Sequence, residues 1–242
     1  MPLSLTVVKE APEFSDIWPV LFEAYQKPYN PFFKHFNPIH TTEQAALQAS
    51  KERHIKQWYD DLKCHWIKIT DTDTEDVIGA ACWLIHDQPA LDEVPGLINA
   101  YWHEEGSVEK RFAEKLIGEG LGGFITKRMA GKRYCGIPEL DQIIVHSKHR
   151  NRGAARMMIK WGTDIADEMG FECVIGSTPF ARAAYERCGF TMAAIINPDL
   201  DIESPCERWK EYQMEDLHAY MMWRPVGHDF VNGQGGIPFE DI

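Results

Sequence analysis

The sequence predicts an α/β chain of the α+β type, on three observations. Residues 143–169 read as a strand end, a turn and an amphipathic helix: Ile143, Ile144 and Val145 form a short β-branched run, and Ala155, Met158, Ile159, Gly162, Ile165, Ala166 and Met169 then recur at helical spacing. Residues 66–70 and 77–86 read as two strands joined by the acidic turn 71–76. A length of 242 residues with 44% hydrophobic content allows one sizeable core without a second. The simplest organisation is one domain over residues 1–226, with a helical insertion at about 87–136 and a tail at 227–242.

In chain order, residues 5–9 alternate as a first strand, and residues 13–25 place Phe14, Ile17, Trp18, Leu21, Phe22 and Tyr25 on one helical face. Residues 27–38 mix Pro28, Pro31 and Pro38 with Tyr29, Phe32, Phe33 and Phe36. Irregular structure is expected there, and the stretch is too apolar for a free linker, so it is either a packed loop or a pocket wall. Thr41-Thr42-Glu43-Gln44 is a helix start, a Thr cap with an acid and an amide close behind, and the helix should run to about residue 62. After the hairpin, a Pro-containing loop at 88–101 and a helical stretch from 104 to about 127 make up the insertion, expected to shape an acceptor site or an oligomer contact such as a homodimer interface. Residues 171–176 form another strand, followed by a short helix and a Gly-Phe turn. Residues 191–196 and 217–224 are the last two strands, paired antiparallel, with a partly helical loop between them. The Gly- and Pro-rich stretch 227–238 is expected to be loose.

The segment Val145-His146-Ser147-Lys148-His149-Arg150-Asn151-Arg152-Gly153-Ala154-Ala155 carries most of the functional information. A helix starting near Arg152 leaves the N–H groups of its first turn without intrahelical partners, and Gly153, Ala154 and Ala155 are too small to keep a phosphate away from them. Lys148, Arg150, Arg152, Arg156 and Lys160 all fall between Gln142 and Thr163, where there is no Asp or Glu, in a chain of formal net charge -12. A basic island in an acidic protein points to a bound polyanion, and the exposed main chain to pyrophosphate.

Arg150-x-x-Gly153-x-Ala155 resembles the Arg/Gln-x-x-Gly-x-Gly/Ala acetyl-CoA signature of the GNAT superfamily of N-acetyltransferases. Ala181-Arg182-Ala183-Ala184-Tyr185-Glu186-Arg187-Cys188-Gly189-Phe190 is similar to the later helix and turn of the same family, and the two motifs stand in the family's order. The resemblance is strong over residues 140–190 and extends to 62–86 as the preceding hairpin. It implies a central mixed, mostly antiparallel sheet, splayed at the acetyl-CoA site and flanked by helices. It also implies transfer of acetyl from acetyl-CoA to an amine by direct attack in a ternary complex, without a metal.

Residue by residue, the resemblance gives the pantetheine arm to the main chain of Ile144 and Val145, where a backbone N–H would also face the thioester carbonyl as an oxyanion donor. It gives the pyrophosphate to Arg150, Asn151, Arg152, Gly153, Ala154, Ala155 and Arg156. Tyr185 stands where members often carry a tyrosine that protonates the CoA thiolate; a phenol of ordinary pKa, near ~10, is protonated at neutral pH. Its competing role is packing between the short helix and the sheet. Glu139 aligns by spacing with a carboxylate that some members use as general base. Asp141, two residues on, would share its face of a strand and raise its pKa, although Pro138 allows a solvated strand entrance instead. His146 is a further base candidate, or lines the turn. Ser177-Thr178-Pro179 departs from the family, which commonly has an Asn here, so Thr178 is expected to make that contact through its hydroxyl.

Composition removes other classes. The balance of 37 Asp and Glu against 25 Lys and Arg argues against nucleic-acid binding. A small-molecule or peptide amine fits better, with a small amine of aromatic or apolar body expected between residues 28–38 and the Glu139/Asp141 face. No window approaches ~18 uninterrupted apolar residues, and the first residues lack a basic stretch followed by an apolar run, so a soluble, cytoplasmic protein with no membrane partner is expected. Cys64, Cys82, Cys135, Cys173, Cys188 and Cys206 contain no Cys-x-x-Cys pair and are expected as reduced thiols. His35, His40, His54 and His65 lack metal-ligand spacing. Two readings of different class remain: an acetyl-CoA-dependent N-acetyltransferase, and a catalytically silent acyl-CoA-binding sensor or scaffold module. A dinucleotide site is excluded because the turn lacks Gly-x-Gly-x-x-Gly.

Overall fold

The computed structural model describes residues 2–90, 99–137, 143–231 and 236–239. Its strands are β1 (Leu3–Val7), β2 (Cys64–Asp71), β3 (Val77–His86), β4 (Tyr134–Ile137), β5 (Ile144–Val145), β6 (Glu172–Ser177), β7 (Thr191–Ile196) and β8 (Ala219–Arg224). They form one eight-stranded sheet in the order β1-β2-β3-β4-β6-β8-β7, with β5 paired to β3 beside that path. The β4–β6 pair is parallel and the others are antiparallel. The sheet is therefore mixed and mostly antiparallel, with the hairpin of β2 and β3 and the final β7–β8 pair where the sequence pattern puts them.

The alternation of strand side chains sorts the core onto the two faces. Ile67, Ile69 and Trp83 pack with Met158 and Ile159 of helix α6 (Ala154–Met169), while Cys64, Trp66 and Cys82 pack with Phe14, Trp18 and Phe22 of helix α1 (Phe14–Gln26). Fully burying side chains of this size contributes about 1.5–3 kcal/mol each before entropy is counted. The α6 contact depends on Gly162: a Cβ there would lie 2.1 Å from the Trp83 ring, whose Nε1 donates to Met158 O at 3.1 Å. Only glycine lets the helix come that close.

Three expectations change. Residues 27–38 are not wholly irregular, since Phe33–Phe36 forms one helical turn, α2, with Pro31 just before it, where a ring of fixed φ suits a helix entry. Helix α3 (Glu43–Asp60) follows, with the Thr42 hydroxyl accepting from Ala45 N–H at 3.1 Å as expected. The helical stretch of the insertion is two helices, α4 (Val108–Glu119) and α5 (Leu121–Met129), separated at Gly120. The insertion's ends are tied, with Ala90 N–H donating to Lys132 O at 2.9 Å and Gly131 N–H to Ala90 O at 2.8 Å. The tail is anchored: Phe230 N–H donates to Gly189 O at 2.9 Å, Asp229 accepts from Arg224, and Phe239 is buried against Trp223. Aromatic anchors within its Gly- and Pro-rich stretch, Phe230, and just after it, Phe239, hold it. All six cysteines are free. Among the described residues no helix is long and apolar enough to cross a membrane.

Candidate active site

Strand β3 changes partner along its length. Leu84, Ile85 and His86 pair with β4, whereas Gly79 and Ala80 pair with β5. Strand β6 pairs with β4 as far as Ile137↔Ile175, and among the described residues its last two, Gly176 and Ser177, pair only with β8 on the other side. Among the described residues, β5 and the end of β6 share no hydrogen bonds, so the sheet is split between them. A cavity of about 960 Å³ occupies the split.

At one end of the cavity is the turn from β5 into α6. A 3₁₀ turn (Ser147–His149) is followed by two left-handed residues, Asn151 at φ 61° and Gly153 at φ 91°, and the helix begins at Ala154 rather than near Arg152. Left-handed residues cannot belong to a right-handed helix, which accounts for the later start. A Cβ built on Gly153 meets nothing within 4 Å, so the space before the helix is open. The first N–H groups of this 16-residue helix face it with the positive end of the helix dipole.

The arginines of the turn divide their work. Arg150 donates through Nε to Val145 O at 3.2 Å and through Nη2 to Ala24 O at 3.0 Å. Arg152 donates to the buried carboxylate of Asp71 at 2.8 Å and lies 2.8 Å from His149 Nδ1. The Arg152 hydrogen bond holds the Asp71 carboxyl below the usual carboxylate range. Both guanidinium groups are thus spent largely on the protein, and Arg156 and Arg187 supply further positive charge to the cavity lining.

The cavity wall then passes Ile144, Val145, Ser177 and Thr178 to helix α7 (Arg182–Glu186). Thr178 O accepts from Ala181 N–H at 3.1 Å and so starts that helix. Tyr185 lines the cavity, is only 4% exposed and lies edge-on to Phe190 at 5.7 Å; burial pushes its phenol pKa up. On the side of α1, Ala24 and Tyr25, with Pro28, Asn30, Phe32 and Phe36, form a largely apolar wall. Phe33 instead turns into the core, edge-on to Phe22 at 4.9 Å, and Tyr29 points to solvent. Behind the wall the insertion packs on α2, with Trp102 Nε1 donating to His35 O at 2.8 Å.

Of the residues singled out in the sequence, Ile144, Val145, Arg150, Asn151, Gly153, Ala154, Ala155, Arg156, Thr178 and Tyr185 line this one cavity, and Arg152 stands behind it. His146 lies outside the lining, with Nδ1 accepting from Lys148 N–H at 3.3 Å and 3.7 Å from Glu23. Glu139 and Asp141 lie outside the described residues. Sequence reasoning missed Tyr25, Phe180, Arg187 and Cys188 as lining residues. Arg187 and Cys188 were within reach, standing two and three residues after Tyr185, whereas nothing marked Tyr25 apart from its neighbours on the core face of α1. Among the described residues no group of three or more His, Cys, Asp or Glu is placed to hold a metal ion.

A model of the acetyltransferase (GNAT) family matches residues 18–190, which contain both ends of the cavity. The chain belongs to the GNAT family. Acetyl transfer is the chemistry of that family. No curated protein matches the chain. A crystal structure described as histone acetyltransferase HPA2 and related acetyltransferase, from Corynebacterium glutamicum, is similar with a TM-score of 0.57 and 18% identity, over 96% of this chain and 100% of that one. The structure of a mosquito arylalkylamine N-acetyltransferase like 5b is similar with a TM-score of 0.50 and 11% identity, over 92% of this chain and 99% of that one. At these identities the likeness is one of fold.

Proposed function

We propose that this GNAT protein transfers an acetyl group from acetyl-CoA to the primary amine of a small molecule with an aromatic or apolar body, by direct attack while both substrates are bound. The observation that carries the proposal is the continuity of the cavity from the open amides at Gly153–Ala155 to the wall of Tyr25, Phe32 and Phe36. The residues present fit acetyl-CoA. The amides after Gly153 and the Arg156 and Arg187 guanidinium groups suit its phosphates, and the edge of β5 away from β3 offers main chain at Ile144 and Val145 to the pantetheine amides, with Val145 O already accepting from Arg150.

In this reading the neutral amine attacks the thioester carbonyl in the split between β5 and β6. A main-chain N–H of β5 stabilises the oxyanion, and the C–S bond breaks as the tetrahedral intermediate collapses. Tyr185 donates its phenolic proton to the departing sulfur and is restored by the proton that the acylated nitrogen loses, passed through solvent. Burial keeps the phenol protonated, and the same desolvation raises the basicity of a thiolate formed beside it, so the two remain matched. Glu139 and Asp141 are assigned the ammonium proton that must leave before attack, and the Thr178 hydroxyl a contact to the pantetheine arm. The rings of Phe32 and Phe36 suit a flat or apolar acceptor body.

A mass-spectrometric screen of acetyl transfer from acetyl-CoA to arylalkylamines, polyamines, aminoglycosides, amino acids and peptides tests this. Arylalkylamines are expected to give the highest kcat/KM. Transfer confined to peptides or to polyamines would overturn the acceptor assignment, and CoA binding with no transfer across the panel would favour the silent binding module.

A further inference from the structure

We infer that Glu23 is a positioning residue that bolts the acceptor wall to the CoA turn, so that filling the turn orders the wall. This rests on the reading of the two ends of the cavity given above. The last turn of α1 supplies Ala24 and Tyr25 to the wall, and the residue before them reaches the other way. Glu23 Oε2 accepts from Ser147 N–H at 2.9 Å, and Oε1 accepts from the Ser147 hydroxyl. Burial works to raise the Glu23 pKa, but the two hydrogen bonds from Ser147 together with the nearby His146 and Lys27 outweigh it and hold the carboxyl below its usual range. Glu23 is therefore an ionised acceptor.

The next residue repeats the link. Ala24 O is one of the helix-end carbonyls that lack an intrahelical donor, and Arg150 supplies one from the turn. From there the bonding continues into the wall: Asn30 N–H donates to Tyr25 O at 2.8 Å, Phe32 N–H to Asn30 Oδ1 at 3.0 Å, and Phe33 N–H to Asn30 O at 3.0 Å. Asn30 is itself buried. Hydrogen bonds joined through the last turn of α1 therefore link Ser147 and Arg150 to the main chain that carries Phe32.

A carboxylate near a polyanion site works against anion binding, so holding CoA is not what this one does. Its two oxygens match the two donors of Ser147, and both donors lie in the turn that must keep its shape when phosphate arrives. Lys27, at 3.6 Å, offsets part of its charge from the solvent side. Ordering of the turn by a ligand then lowers the entropy left to the wall, which is coupling without a change of fold.

The test is amide hydrogen exchange at Asn30, Phe32 and Phe33, with and without saturating CoA, in the wild type and in Glu23→Gln, with CoA affinity measured by calorimetry on the same samples. In the wild type CoA should slow exchange at these amides by about fivefold, the lower end of usual coupling between two sites. In Glu23→Gln, where the Arg150–Ala24 bond remains, the slowing should shrink while CoA affinity stays within about threefold, less than the usual coupling between sites. Ser147→Ala, which removes one donor and leaves the main chain, should give the same result and serves if Glu23→Gln does not fold. Equal slowing in wild type and variants, or CoA bound to the wild type without any slowing, would overturn the inference. Failure of CoA to bind the wild type would instead overturn the reading of the turn on which it rests.

Discussion

At one end of the cavity Gly153, Ala154 and Ala155 carry almost no side chain, two residues take left-handed conformations, and Arg150 and Arg152 hold the loop from behind. At the other end Tyr25, Phe32 and Phe36 fill the wall with rings, and their positions depend on α1, α2 and the insertion packed behind α2. In the proposed reading the first end recognises with main chain and helix dipole, which suits a ligand whose phosphates are the same in every turnover. The second recognises with side-chain shape, which suits a ligand that differs from one family member to the next. The difference predicts that changes at the turn are felt in binding of CoA, and changes at the wall in the choice of acceptor.

The largest effect should come from Gly153→Glu. The new carboxylate would enter space that the pyrophosphate needs, and like charges ~4 Å apart at an effective dielectric of ~20 repel by about 4 kcal/mol, or about a thousandfold in affinity. The positive φ adds about 1–2 kcal/mol of strain, so the melting temperature should fall while the fold persists. Unchanged CoA affinity by calorimetry would remove the backbone-recognition half of the comparison. Between the two ends, Tyr185→Phe should lower kcat by roughly 10²-fold with CoA affinity nearly unchanged, because only the proton donor is lost. Wild-type turnover in this variant would assign Tyr185 to packing against Phe190.

At the wall, Phe36→Leu should raise the KM of an aromatic amine by about tenfold, leave CoA affinity intact and cost about 1 kcal/mol of stability. An equal loss for aliphatic and aromatic amines would mean that the ring shapes the wall without contacting the acceptor. The smallest effect is a pH dependence outside the cavity. His86 stacks on Tyr134 at 4.3 Å where β3 runs into the insertion, and burial lowers its pKa to about 4. Its folded pKa lies below its unfolded one, so the unfolded chain binds more protons between the two. Stability is then full above about pH 6.5 and declines as the pH falls toward about 4, by about 2 kcal/mol between pH 7 and 5 from this ring. Urea melts at both pH values should show His86→Gln with a shallower decline; an equal decline would place the acid sensitivity elsewhere.

The two ends also differed in how legible they were. The turn is a local pattern, strand, small residues and helix within some twenty positions, and the sequence displays it directly. The use made of Arg150 and Arg152 was hidden, because their partners Ala24 and Asp71 lie 126 and 81 residues away. The wall was recognised as aromatic, but which ring faces the cavity is decided by one turn of helix: Phe32 and Phe36 face inward together, and Phe33 cannot. The tail misled because its Gly and Pro content signals a loop, while its hold on the core comes from single rings, Phe230 and Phe239, with no periodicity to reveal them. Most strands follow alternation and turn residues, but β4 (Tyr134–Ile137) begins inside the stretch expected to be a helical insertion: four residues are too few to display an alternation, and its partners β3 and β6 lie far away in the chain.

If the two ends serve two ligands held at once, initial rates must say so. With acetyl-CoA and the best amine of the screen varied together, double-reciprocal lines should intersect, as they do when both substrates are bound before any product leaves. Cys188 also lines the cavity, but burial raises its thiol pKa and disfavours the thiolate that a covalent route would need. Parallel lines, with CoA released from acetyl-CoA in the absence of amine and an acetylated protein isolated from the mixture, would contradict direct transfer across the split between β5 and β6.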